Sequence, residues 1–141
     1  MAYWALHRRT DESLIKRGVT ANQFVLLALL MEEDGITQQD LVLRASSDPS
    51  TIRAMLVLLE KKGLVVRNQH AKDGRALSVT LTHKGRRAYK QMWLDTQSVR
   101  QRLLAVLEPK ETVLLVKLFG RITGAMISPT APKSVHAKSN Q

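Results

Sequence analysis

Residues 36–82 read ITQQDLVLRASSDPSTIRAMLVLLEKKGLVVRNQHAKDGRALSVTLT, and they restrict the fold more than any other stretch. Thr37 caps a short helix, with Asp40 at its third position in an imperfect capping box and Leu41 turned to the core. Ser46-Ser47 makes a turn. Asp48 caps a second helix, and Pro49 takes its first position, where a missing N–H costs nothing. Ile52, Met55, Leu56 and Leu59 form one inward stripe. Gly63 closes that helix. Leu64-Val65-Val66 reads as a strand, and residues 76–81 alternate as a half-buried antiparallel strand with Leu77, Val79 and Leu81 on one face. Asp73-Gly74 is a hairpin signal between them. The order is helix, turn, helix, strand, basic turn, strand, which is a winged helix-turn-helix.

Such a unit offers two surfaces to a nucleic acid. The second helix leaves Ser50, Arg53, Ala54 and Val57 outward, a face that is small, polar and basic near its N-terminus. A helix approaching base edges needs short side chains for close fit and an arginine for guanine or phosphate. Its N-terminal N–H groups also suit phosphate. An ordinary solvated helix carries the same residues, so this face alone does not decide. The ribbon tip adds Lys72 and Arg75 with Asp73 between them. A carboxylate two residues from an arginine can orient its guanidinium, and an oriented arginine on a narrow ribbon suits a narrow, A·T-rich minor groove.

Charge supports the ribbon. The chain of 141 residues carries a formal net charge of +10. Its first 66 residues balance, with 8 Lys/Arg against 8 Asp/Glu, whereas residues 67–102 carry 9 against 2. The excess starts at the ribbon and continues into the next helix, where Lys84, Arg86, Arg87 and Lys90 oppose the helix dipole. That placement favours phosphate contact over stabilisation for these four.

The flanks read as helices. Residues 3–17 form one, stopped by Gly18, with Tyr3 and Trp4 needing cover either within the subunit or on a partner. Thr20 and Gln23 make a capping box for the next. Phe24 to Met31 is apolar throughout, which predicts a helix buried all round as the central post. Thr82 caps a long helix over 83–107, where Tyr89, Met92, Thr96, Val99, Leu103 and Val106 repeat as a heptad seam. That seam is expected to carry a large share of dimer contact. Pro109 starts the last helix, whose apolar residues also need a partner surface. The segment after Ser128 is polar and free of aromatics, and is expected to be a disordered tail.

Several classes fall away. With no cysteine, thiolate metal sites, disulfides and thiol redox sensing are excluded. His7, His70, His83 and His136 have no ligand spacing, so no metal is expected, and no cofactor either. No carboxylate pair, Ser/His arrangement or glycine-rich phosphate loop marks an enzyme. No apolar run is long enough for a membrane span, and the early charges argue against a secretory signal, so a cytoplasmic setting is expected.

The pieces ITQQDL, DPSTIRAML, LEKKGLVVR, the D-x-R of Asp73-Gly74-Arg75, and VTLTHKGR, in this order and spacing, resemble the MarR family of bacterial transcription regulators. The resemblance covers roughly residues 14–125. It implies one mainly α domain over 1–127 with a small two- or three-stranded antiparallel wing, the winged helix-turn-helix at about 36–82 and dimerisation helices at about 3–17 and 83–127, followed by the tail, 128–141. It implies a homodimer whose first, fifth and sixth helices interlock, and a pseudo-palindromic double-stranded DNA operator as partner. Arg75 would enter the minor groove, oriented by Asp73, with Lys72 beside it. Pro49, Ser50, Thr51 and Arg53 would lie near bases or phosphates, and Gln38 by the DNA backbone. Many members have arginine one residue after Arg53, where this chain has Ala54, which puts base preference there in question. Members are typically repressors released by a small aromatic or phenolic anion, and Tyr3, Trp4, His7, Phe24 and Met92 could line its pocket. A winged helix used for protein–protein contact or RNA binding is the alternative, and a basic ribbon tip is what it would not need.

Overall fold

The computed structural model describes residues 1–69, 72 and 74–127. It divides into two compact units, Met1–Glu108 and Pro109–Gln141. In the first, helix α1 spans Ala2–Leu14 and tightens into a 3-10 turn, Ile15–Arg17. Gly18 caps that turn with φ +62°, a left-handed conformation that glycine adopts freely. Helix α2 is Ala21–Glu32, β1 is Ile36–Thr37, α3 is Gln38–Arg44 and α4 is Pro49–Lys61. Strands β2 (Val65–Gln69) and β3 (Leu77–Leu81) follow, then α5 (His83–Asp95) and α6 (Gln97–Leu104). The second unit contributes α7, Pro109–Ile127.

The caps form where the sequence places them. Thr20 accepts from the Gln23 N–H at 3.2 Å while Gln23 accepts from the Thr20 N–H at 3.1 Å. Thr37, Asp48 and Thr82 each cap their helices through a side-chain oxygen. The sheet runs β1-β3-β2, all antiparallel, with Ile36 opposite Val79 and Val65 opposite Leu81. Its inner face, from Ile36, Val65, Val79 and Leu81, closes on Leu26, Leu27 and Leu30 of α2, Leu41 of α3, and Ile52, Leu56 and Leu59 of α4. Each such leucine or isoleucine contributes about 1.5–3 kcal/mol by leaving water.

Four expectations about the elements need correction. Strand β2 does not end at Val66. It continues through Arg67, Asn68 and Gln69, because β3 supplies backbone partners as far as Leu77, and Glu60 takes up the Arg67 charge at 2.7 Å. Helix α2 is not buried all round, since Val25 is half exposed on the wall of a cavity described below. The helix over 83–107 is interrupted at Thr96. The Thr96 hydroxyl donates to Met92 O at 2.9 Å, and Arg100 Nη2 donates to Trp93 O at 2.5 Å, so side chains occupy carbonyls of that turn. The seam on this helix also packs largely within one chain: Met92, Thr96 and Val99 are buried there, whereas Leu103 and Val106 are exposed.

Ion pairs tie the end of α2 to α3 and α5, and the turn after α1 to α5. Arg44 reaches Glu33 at 2.5 Å, Arg86 pairs with Asp34, and Arg17 pairs with Asp95 at 2.7 Å. The acids that end α2 therefore serve as anchors. Lys84 donates to the Lys62 carbonyl at 2.8 Å, at the C-terminus of α4. Arg86 and Lys84, which the sequence reading offers to phosphate, thus have internal partners in the folded chain.

Candidate nucleic-acid interface and the cavity behind it

Asp48 precedes α4 in an extended conformation, so its carboxylate turns back over the first turn. Oδ1 accepts from the Thr51 backbone N–H at 2.9 Å and from the Ser50 hydroxyl at 2.5 Å, and Oδ2 accepts from the Thr51 hydroxyl at 2.5 Å. These bonds, Ser50 first and Thr51 next, hold the Asp48 carboxyl far below the usual carboxylate range. Pro49 sits in the first turn. With Ile52, Leu56 and Leu59 turned inward, Ser50, Thr51, Arg53 and Ala54 are exposed on the opposite face. The turn ahead of this helix passes through Ser46 at φ +48°, the one non-glycine with positive φ among the described residues. That conformation costs roughly 1–2 kcal/mol.

Lys72 and Arg75 are exposed in the connection between β2 and β3. Gln69 Nε2 donates to the Gly74 carbonyl and ties that connection to the end of β2. Asp73, expected to orient Arg75, lies outside the described residues, as does His70. Gln38, in the first turn of α3, is half buried, and its Oε1 is enclosed with no hydrogen-bond partner among the described residues.

Behind α4 lies a cavity of about 600 Å³. Its walls come from α1 (Tyr3, Leu6, His7), α2 (Phe24, Val25), the turn Ala45–Ser47, the flank of α4 (Thr51, Met55), and the α5–α6 break (Trp93, Thr96, Arg100). Of the five side chains expected to line a pocket, Tyr3, His7 and Phe24 do so. Trp4 is exposed, edge-on to Tyr3, and Met92 is buried in the core. Both His7 nitrogens are engaged, Nδ1 with Asp11 at 3.1 Å and Nε2 with Asn22 Oδ1 at 3.2 Å. Arg100 lies over the Trp93 ring, its guanidinium carbon 3.5 Å from the centroid. Phe24 stacks on Tyr89 at 5.4 Å, and burial pushes the Tyr89 hydroxyl up. Sequence reasoning missed Trp93 and Arg100. Their spacing of seven puts them on one helical face, a signal that a cation and an aromatic ring can meet.

A capped helix with a polar outer face beside a two-stranded ribbon defines a winged helix-turn-helix protein. The sequence model of the MarR family matches residues 19–77. The HTH-type transcriptional repressor MdtR of Bacillus subtilis is 26% identical over 114 residues, covering 81% of this chain and 74% of that protein. The HTH-type transcriptional repressor Rv2887 of Mycobacterium tuberculosis is 31% identical over 100 residues, covering 71% of this chain and 72% of the relative. A solved structure of a mutant MarR from Escherichia coli complexed with operator DNA has a TM-score of 0.75 at 28% identity, covering 85% of this chain and 86% of that one. The chain belongs to the MarR family of transcription regulators. Among the described residues, no single helix is long and apolar enough to cross a membrane.

Proposed function

We propose that this regulator is a cytoplasmic homodimeric repressor, not an enzyme, that binds a pseudo-palindromic operator and is released by a small aromatic ligand. The carrying observation is the outward face of α4, where Pro49, Ser50, Thr51 and Arg53 sit beside a capped N-terminus. In this reading those residues meet bases and phosphates in the major groove. Gln38 lies by the DNA backbone, and Lys72 and Arg75 follow the ribbon into the minor groove, with Asp73 orienting Arg75. The ligand occupies the cavity behind α4, among Tyr3, His7 and Phe24. Because that cavity touches both the turn before α4 and the helices α1, α5 and α6, an occupant there bears on the placement of the reading helix.

Fluorescence anisotropy on labelled duplexes tiling the DNA upstream of the protein's own gene tests the reading. A tile-specific complex is expected, and Arg75→Ala should weaken it about ten-fold while leaving the melting temperature unchanged. Uniform weak binding, indifferent to Arg75, would favour an interaction or RNA-binding module instead.

The dimer reading rests on apolar surface. Tyr3 and Trp4 of α1 are exposed, as are Leu103 and Val106. On α7, Val113, Val116, Phe119 and Ile122 are all more than half exposed, a larger apolar surface than a lone helix sustains in water. Phe119→Glu should weaken self-association by about 2 kcal/mol or more, seen as a shift of solution mass towards one chain in light scattering. A mass unchanged from the wild-type dimer would place the interface elsewhere.

A further inference from the structure

Strand β2 leaves the core at Arg67. Up to that point its inner face is apolar: Val65 stands opposite Leu81, and both are buried. Arg67, two residues on, takes the same face opposite the buried Val79. One step further out that face holds Gln69 opposite Leu77, and both are exposed. An apolar side chain at position 67 would extend the core. This chain has a cation there instead, and α4 supplies its partner. Glu60, in the last turn of α4, takes three hydrogen bonds from Arg67. Its Oε1 accepts from the backbone N–H at 3.4 Å, and its Oε2 accepts from Nε at 3.2 Å and from Nη2 at 2.7 Å. The Arg67 side chain is only 18% exposed, so this is not a solvated surface pair. The guanidinium bonds hold the Glu60 carboxyl below its ordinary range, and the pair is ionised at neutral pH. It joins the last turn of α4 to the ribbon where the core ends, short of the tip that carries Lys72 and Arg75.

Stability alone does not call for such a pair. Desolvation offsets most of the attraction between half-buried charges, and an apolar residue packed in their place stabilises as well or better. What a planar guanidinium on a carboxylate adds is a fixed angle. We infer that the Glu60–Arg67 pair is a brace that fixes the ribbon to the reading helix, so that the outer face of α4 and Arg75 meet the two grooves of one duplex together. Two contacts on a rigid frame reinforce each other, because the first brings the second to its target. On a frame free to swing, binding itself must position Arg75, and the contribution of Arg75 shrinks. Glu60 and Arg67 are therefore positioning residues that act through Arg75. The inference rests on the reading above that α4 and the ribbon dock on one duplex.

The test measures what Arg75 is worth with and without the brace. The probe is the duplex that the full-length wild type enriches most from a random pool, and a scrambled duplex of equal composition is the control. In the wild type, Arg75→Ala should cost about ten-fold in affinity. In Glu60→Gln, and separately in Arg67→Gln, the same change should cost less than about three-fold. These two variants shift the net charge in opposite directions. Charge alone would therefore strengthen binding in one and weaken it in the other, whereas loss of a brace lowers the worth of Arg75 in both. Exchanging the pair, Glu60→Arg with Arg67→Glu, should restore a loss of about ten-fold. If one single variant fails to fold, the other and the exchanged pair still decide. A pair that serves stability alone would lower the melting temperature and leave the Arg75 loss at its wild-type value, which overturns the inference. Tighter binding by Glu60→Gln with a steeper salt dependence also overturns it, because Arg67 is then a phosphate contact that Glu60 restrains. A wild type that prefers no duplex over its scrambled control overturns the operator reading, and the brace falls with it.

Discussion

Gly85→Ala should lower the melting temperature by about 10 °C or more. Gly85 lies in the first turn of α5, packed against the residue that leads into the wing. A Cβ built there would lie 2.0 Å from the Leu64 carbonyl oxygen and 2.9 Å from its carbon. That neighbour is backbone and cannot rotate away. It is also committed, because Leu64 O accepts from the Thr82 N–H at 3.1 Å and from the Thr82 hydroxyl at 3.3 Å. Thr82 in turn caps α5 by accepting from the Gly85 N–H at 2.9 Å. Relief therefore means separating α5 from β2, which strains the cap and the bond to Leu64 together. Overpacking costs about 1–3 kcal/mol, and each weakened hydrogen bond adds about 1 kcal/mol. A loss of about 3 kcal/mol in a chain of this size corresponds to about 10 °C. Circular-dichroism melts at one fixed protein concentration measure it. A change under 2 °C would show that α5 does not approach the wing this closely.

The parts of this fold legible in the sequence are those settled within a few residues. Thr20, Thr37, Asp48 and Thr82 each cap a helix because a side-chain oxygen reaches an N–H two or three residues on, and that geometry is written locally. Gly18 and Gly63 close their segments just as locally, by adopting a positive φ of 62° and 70°. What escaped depends on partners distant in sequence. Arg67-Asn68-Gln69 has no strand signature of its own and becomes one only opposite Leu77–Val79. Thr96 sits within a helical pattern, and the break there depends on its hydroxyl and on Arg100 four residues on. The candidate reading face was visible, because Asp48-Pro49 fixes the phase of α4. The cavity was legible only in fragments, because it is bounded by five elements from residue 3 to residue 103.

The internal fate of the basic residues decides how operator binding should respond to salt. Residues 67–102 carry nine Lys/Arg, and a reading by charge alone would offer all of them to phosphate. Four are placed otherwise. Arg67 is held by Glu60, Lys84 by the Lys62 carbonyl, Arg86 by Asp34, and Arg100 stands over Trp93. Of the remaining five, the proposed docking brings Lys72 and Arg75 to DNA and leaves the exposed Arg87, Lys90 and Arg102 off it; with Arg53 of α4 that makes about six cations in a dimer. Each neutralised phosphate on duplex DNA contributes about −0.9 to the slope of log affinity against log salt. The expected slope is therefore near −5, and affinity should fall about a thousand-fold between 50 and 200 mM salt. Engagement of every basic residue from 67 to 102 in both subunits would instead give about −16, a difference that anisotropy titrations at four salt concentrations resolve easily. A slope near −16 would mean that Arg67, Lys84, Arg86 and Arg100 all leave their internal partners on binding. A slope near zero would remove phosphate contact from the mechanism altogether. At a slope near −5, Arg75→Ala should reduce its magnitude by about two, one for each subunit.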